Sequence, residues 1–310
     1  MSTQSNAVPN TPLESQAAAP TLLKATQPFY WSVRRELWEN RAIYIAPLAV
    51  AALFVLGFLL NLAKTMHRMA ASLQQSELRQ HQLIEQPYHF SETLIMGATF
   101  LVAIFYCLDA LYGERRDRSI LFWKSLPVSD LTTVLSKASI PLVLIPLLTF
   151  AITVATQTIV LALSTMGLAM SGLGASPMLN HLSLFHMWVG LLYHLVAIHG
   201  LWFAPFWGWF LLVSAWAKRS PFLWAFLVPF AIGLLEKITF NTSHFANLLL
   251  HHFMDAPGSS MSAPGSMSMG TLAPSTLGQF LASPGLWVGL GITAAFLAAA
   301  VRLRRYRDPI

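Results

Sequence analysis

The residues best placed to do chemistry lie in one charged stretch, LYGERRDRSILFWKSLPVSDLTTVLSK, at 111–137. It holds Glu114, Arg115, Arg116, Asp117, Arg118, Lys124, Asp130 and Lys137, in a chain where 10% of residues are charged. Long apolar runs flank it on both sides. A segment so charged cannot lie in hydrocarbon, so it sits in water or against a partner protein. Glu114 to Arg118 form a mixed-sign cluster. The run then turns apolar, Pro127 breaks the helix, and Ser129 or Asp130 can cap the next one. Charges at one end with Leu, Phe and Trp at the other suit docking into a groove on a soluble protein. The competing reading is a solvated connector placed by membrane orientation alone.

Other candidate groups are weaker. His186, His194 and His199 fall in or near one apolar run, but residues five apart do not share an α-helical face. They read as packing residues. His251, His252, Met254, Met261, Met267 and Met269 offer imidazole and thioether, ligands that suit Cu(I). They are scattered among Ser, Gly and Pro without a repeat. The segment 251–270 therefore reads as a flexible linker, and no metal is assigned. Cys107 is the single cysteine, which excludes an intramolecular disulfide. Asp109 is placed to pair with an arginine of the charged cluster. Lys237 reaches outward from its run, while Glu236 is expected to face a polar interior. No G-x-S-x-G, no H-E-x-x-H and no paired carboxylates at helical spacing within an expected span are found, so no enzyme site emerges. Nor is there a G-x-x-x-x-G-K-[ST], so the chain has no P-loop to cradle ATP phosphates.

The elements that position the charged stretch follow from composition. The chain has 310 residues, is 55% hydrophobic and has a mean hydropathy of +0.57. Its apolar runs are continuous rather than alternating, which points to membrane helices and away from a barrel. Six spans are expected, at 42–62, 92–112, 138–165, 186–213, 221–240 and 284–301. Pro141, Pro146 and Pro205 are expected to kink the long third and fourth runs. Gly285 and Gly289 give the last run a G-x-x-x-G spacing that permits close helix contact. Residues 1–27 are polar and Pro-rich and read as a disordered tail. The polar segment 63–91, rich in helix formers, reads as a partly helical outer loop. PFYWSVRRELWENR at 28–41 has an amphipathic pattern with Trp31 and Trp38 at interfacial depth, so it reads as a surface helix. The alternative is an extension of the first span.

With the N-terminus in the cytoplasm, fifteen of the 19 Lys and Arg residues fall on the cytoplasmic side and four outside. That is a strong positive-inside bias. Basic residues confined to span ends serve orientation, and no nucleic-acid partner is implied. The class is therefore an all-α, multi-pass protein of the inner (plasma) membrane with both termini cytoplasmic.

The surface helix, a span, and then the pattern D-x-L-x-x-E-R-x-x-x-S-I-L-x-x-x-S-L-P-V-S with a lysine opening the next span resemble the membrane subunit of ABC transporters of the ABC-2 type. The matching residues are Asp109, Glu114, Arg115, Ser125, Leu126, Pro127, Val128, Ser129 and Lys137. The likeness covers residues 28–310 loosely, and only 28–45 and 105–140 are specific. Asp117, Arg118, Ser119 and Ile120 stand where the family pattern has a Gly-Thr-like pair. The resemblance implies a permease, more often an exporter, that forms a homodimer or pairs with another permease. It also implies two separate ATPase subunits that hold ATP and magnesium. It makes Glu114, Arg115, Arg116, Ser125, Leu126, Pro127 and Lys137 the coupling-loop residues. A non-transporting regulatory or assembly subunit that docks the same kind of ATPase is the alternative.

The topology is open to test. Cysteines placed at 70–85 and 255–275 are expected to react with an impermeant reagent from outside sealed cells. External labelling of Ser119→Cys would overturn the orientation.

Overall fold

The structure, a computed structural model, describes residues 26–65, 67, 77–119, 128–170, 183–254 and 274–306. Among these there are helices and no strand. α1 spans Thr26–Glu39 and α2 Ala42–Leu60; α3 spans Glu77–Ala110 and α4 Tyr112–Arg116. α5 (Asp130–Ser139) passes through a π-helical segment, Ile140–Leu144, into α6 (Ile145–Met170). α7 (Leu184–Tyr193) passes through a second π segment, His194–Trp202, and reaches α8 (Ala204–Trp216). α9 (Pro221–Phe240), α10 (His244–Met254), α11 (Pro274–Ala282) and α12 (Pro284–Tyr306) complete the order. The N-terminal tail, Ser125, Leu126, Pro127 and the methionines of 261–269 lie outside the described residues.

Six stretches are long and apolar enough to cross a membrane: Ala42–Leu60, Ile84–Arg116, Asp130–Met170, Leu184–Trp202, Pro221–Phe240 and Pro284–Tyr306. The protein is therefore read as a multi-pass membrane protein. The apolar stretch of α3 begins at Ile84, inside the segment 63–91 expected to be partly helical. α3 runs without a break from Glu77, because Ile84 and Tyr88 are buried against Val160 and Leu168 of α6. Its polar residues lower the average hydropathy, but its apolar face still packs. Pro87 is tolerated inside this helix.

α1 is a helix separate from the first span. Asn40 ends it, with Asn40 Nδ2 donating to the Glu36 carbonyl at 3.1 Å. Val33 and Leu37 pack on the main core, while Trp31 and Trp38 stay exposed with the Arg34 guanidinium over both rings.

The prolines of the third and fourth runs act through hydrogen-bond register. Pro141 lies inside the first π segment and Pro146 just beyond it; Pro205 follows the second. A proline supplies no N–H and crowds the carbonyl four residues back. A widened turn relieves this crowding, and Phe203 N bonds the Ile198 carbonyl five residues back at 2.9 Å. The π geometry also corrects the reading of His194 and His199. Five residues nearly complete a π turn, so the two rings sit on one face with centroids 5.6 Å apart.

The two π segments touch at Gly200, where an added Cβ would stand 2.9 Å from the Leu142 carbonyl oxygen. α12 reaches its neighbours through its paired glycines. A Cβ at Gly285 would lie 3.3 Å from the Trp202 ring, and one at Gly289 would lie 3.1 Å from Pro205. In contrast α9 is almost wholly exposed, presenting Phe222, Phe226, Phe230, Leu234 and Ile238 outward. An apolar helix of this kind faces hydrocarbon or another protein.

Gly200→Ala is expected to lower stability by about 1–3 kcal/mol, because backbone must move to admit the methyl group. Gly57, also helical, has nothing near its missing Cβ. Gly57→Ala is expected to be neutral or stabilising by up to about 1 kcal/mol. Thermal unfolding of the two variants in detergent compares them.

Candidate functional site: a buried ionic junction

The charged stretch and the surface helix meet at one end of the bundle. Glu36 of α1 is buried. It accepts from Lys137 Nζ of α5 at 2.8 Å, from Arg35 at 2.8 Å and from the Tyr106 hydroxyl of α3 at 2.9 Å. Glu114 of α4 is buried beside it. It takes Lys137 Nζ and the Arg35 guanidinium at 3.1 Å each, and the Arg304 guanidinium of α12 on its second oxygen. Arg304 also reaches Asp130 at 3.0 Å. Three cations (Arg35, Lys137, Arg304) thus meet three carboxylates (Glu36, Glu114, Asp130). Buried charges persist only when so paired.

Local sequence explains the placement. Ser129 caps α5, accepting from Thr132 N at 3.0 Å, so α5 starts with Asp130 facing the junction. Lys137 lies two turns further on the same side. Arg304 lies near the C-terminal end of α12. Arg115 points the other way, into the bundle. Its guanidinium donates to the carbonyls of Ser214 at 2.9 Å and Ala217 at 2.6 Å, at the C-terminal end of α8. Cations are favoured there. The Ser214 hydroxyl accepts in return from the backbone N–H groups of Leu111 and Tyr112, at 3.0 and 2.9 Å. The turn that leads into the charged loop is therefore pinned at α8.

Burial alone would raise the Glu36 carboxyl. Lys137 and Arg35 outweigh it and hold the group below the usual carboxylate range.

The structure divides the expected loop residues. Glu114, Arg115 and Lys137 are buried and engaged within the chain, so they offer no free docking face. Arg116 is exposed; it pairs with Asp117 at 2.9 Å and Asp109 at 3.7 Å, contacts that contribute little in solvent. Ser125, Leu126 and Pro127 lie outside the described residues. Sequence reading missed Glu36, Tyr106 and Arg304 as members of the site. The signal available was a Glu on an amphipathic helix, one turn from Val33 and next to Leu37.

Two further expectations change. Glu236 faces no polar interior. It caps α10, accepting from Thr242 Oγ1 at 2.8 Å and from the N–H groups of His244 at 2.7 Å and Phe245 at 2.8 Å. His252 stacks on Trp202 with centroids 4.5 Å apart, and its Nε2 lies 2.9 Å from the Trp202 carbonyl. Among the described residues no group of three or more His, Cys, Asp or Glu side chains is placed to hold a metal ion. At the opposite end of α2 a cleft of about 740 Å³ opens between α2 and α3, walled by Leu53, Phe54 and Phe90, with Asn61 and Gln86 among its polar groups.

No family model matches this chain, and neither do any curated protein or solved structure.

Glu36→Ala is expected to cost about 3–5 kcal/mol of stability, since it leaves buried cations uncompensated. Removing both partners, as Glu36→Leu with Lys137→Met, is expected to cost less than the sum of the single changes. A double-mutant cycle of unfolding in detergent reads both. The pH sign follows from the lowered Glu36 value. Its stabilisation is complete above the ordinary value of 4.5 and is lost as pH falls through the lower folded value. Acid-induced loss of stability is therefore expected to be shallower in Glu36→Gln.

Proposed function

We propose that the chain is the membrane-spanning permease subunit of an ATP-driven transporter of the ABC-2 type, working as an exporter with two separate ATPase subunits. ATP and magnesium belong to those partners, since this sequence has no P-loop. A second permease, identical or related, completes the assembly, and the exposed apolar face of α9 is available to it. Six apolar helices and the 111–137 motif are consistent with this assignment.

The observation that carries it is the ionic junction. A permease driven from outside the membrane needs a stiff link between the loop its ATPase pushes and the helices that move. Glu114 stands at the start of that loop and Lys137 a turn or two past its end. Together they tie it to α1 through Glu36 and to the last span through Arg304. A force on the loop would reach four elements at once. The exposed groups at its base, Arg116 and Asp117, are free to meet a partner surface.

The division between buried and exposed residues makes the reading testable. The tagged chain is purified from its own membranes in mild detergent and the co-purifying chains are identified. Arg116→Ala is expected to reduce ATPase recovery at least about tenfold, equivalent to 1.4 kcal/mol, with unchanged melting of the permease. Glu114→Gln is expected to lower permease stability itself. Recovery of no ATPase with the unmodified chain, or equal recovery with Arg116→Ala and intact transport, would leave the loop a solvated connector worth about 0–1 kcal/mol.

A further inference from the structure

A second polar feature lies away from the junction, between α3 and α6. Glu85, His89 and Glu92 follow one another at helical spacing on α3. The imidazole stands between the carboxylates, with Nε2 4.0 Å from Glu85 and Nδ1 3.7 Å from Glu92. Exposure falls along the row. The Glu85 side chain is 32% exposed, His89 29% and Glu92 6%. The row leads from the surface to a buried carboxylate within the second span, and an ionisable group at membrane depth is costly unless it is used.

Facing it, α6 carries an unusual set of hydroxyls. Most buried Thr and Ser side chains here bond a carbonyl of their own helix, as Thr149 and Thr156 do at 2.7 Å. Thr153 does not. Its hydroxyl is buried without a hydrogen bond among the described residues, and the buried hydroxyls of Tyr88 and Ser164 have only each other for a partner. The helices are antiparallel. Ile95 packs at Ile152, and the Tyr88 carbonyl accepts from Gln157 at 3.4 Å. Glu92 lies between Ile95 and Tyr88 on α3, so it sits at the level of Thr153 and Thr156. No charged side chain belongs to α6 or α2; α2 offers only Tyr44, and α7 only His186 and Tyr193. The charge balance at Glu92 is thus set by His89 alone among the described residues.

We propose that Glu85, His89 and Glu92 form a proton relay that loads the buried Glu92 carboxyl from the surface at that end of α3. A proton on a Glu85 oxygen passes to His89 Nε2 as the proton on Nδ1 passes to Glu92. One N–H bond forms and one breaks. Glu85 ends as a carboxylate and takes its next proton from water, and Glu92 ends as a carboxylic acid. No oxidation state changes. The ring returns to its starting tautomer by exchange with water: Nδ1 takes a proton from a bridging water and Nε2 gives its proton up to water at the surface. Both gaps exceed hydrogen-bond length, so a bridging water or a small side-chain rotation closes each step. The Thr153 hydroxyl suits the far end, since a hydroxyl can donate to a carboxylate and accept from a carboxylic acid. A proton rather than a metal ion is the occupant, because the row presents two oxygens groups and one imidazole in a line and not a converging cage.

The test uses the full chain in lipid nanodiscs and lipid vesicles, with protons as the only probe. Infrared spectra recorded as pH is lowered are expected to show a carboxylic acid band of a water-excluded group, missing in Glu92→Gln. His89→Gln leaves Glu92 in place. It is expected to keep the band but to slow its appearance after a pH jump at least about tenfold, one decade of proton-transfer rate. A pH dye in the solution around the vesicles is expected to report proton uptake by the chain itself slowed by the same factor. If Glu92→Gln does not fold, the His89→Gln kinetics decide alone. Identical spectra for wild type and Glu92→Gln, or unchanged rates in His89→Gln, would overturn the relay.

Discussion

Six charges gathered at one end of a hydrophobic bundle, four of them buried, constrain everything around them. Taking a carboxylate or an ammonium out of water costs several kcal/mol per ion after relaxation, and pairing repays that only when geometry is good and the remaining lone pairs are filled. Glu36 meets this demand with Lys137, Arg35 and the Tyr106 hydroxyl. Glu114 meets it with Lys137, Arg35 and Arg304. Lys137 is shared, so neither carboxylate can move without affecting the other. The five elements that bring these groups (α1, α3, α4, α5 and α12) are therefore locked in position more firmly than apolar packing would hold them. Apolar surfaces slide with little loss; paired buried charges do not.

The rest of the bundle is consistent with that fixed end. α8 and α12 form the most extensive helix pair, approaching closely where Gly289 meets Pro205 and Gly285 meets Trp202. α8 also receives the Arg115 cap, so the last span, the fourth run and the base of the charged loop form one connected body. The two π segments place widened turns near the start of the third run, just past Lys137, and in the middle of the fourth. Such turns hold their hydrogen bonds less well than an α-helix and mark places where a helix can change register. The stiff end and the adjustable turns lie next to each other along the same helices.

How much of this could be read in the sequence depends on the range of the interaction. The helix Pro221–Phe240 coincides with the run read at 221–240, because apart from Glu236 and Lys237 near its end it is apolar throughout. The early start of α3 at Glu77 was legible only as a partly helical segment, because hydropathy averages over faces. Residues 77–91 carry Glu, Gln and His around an Ile84–Tyr88 stripe that packs on α6. The cap at Ser129 was visible as a local pattern. The ionic junction was half visible: Glu114, Arg115 and Lys137 stood out as charges at span ends, but nothing local links Glu36 to Lys137, 101 residues on. The meeting of His194 and His199 was hidden for a different reason. Spacing was interpreted with the α-helical period, and only the prolines hinted that the register changes there.

The distribution of buried polarity separates two tasks. At the junction every buried ion has a partner of opposite sign, a state that favours one geometry and resists change of protonation. Along α3 and α6 the balance is incomplete. Glu92 has one imidazole that is not fully in contact, and the buried Thr153 hydroxyl of α6 lacks a partner among the described residues. Full compensation suits a part that transmits force, since a network with every group satisfied has one low-energy arrangement. Incomplete compensation suits a part that exchanges a small charged species, since a group already satisfied would gain nothing from binding it. The same chain therefore carries a fully paired charged end and an incompletely paired polar seam, set apart along the single helix α3.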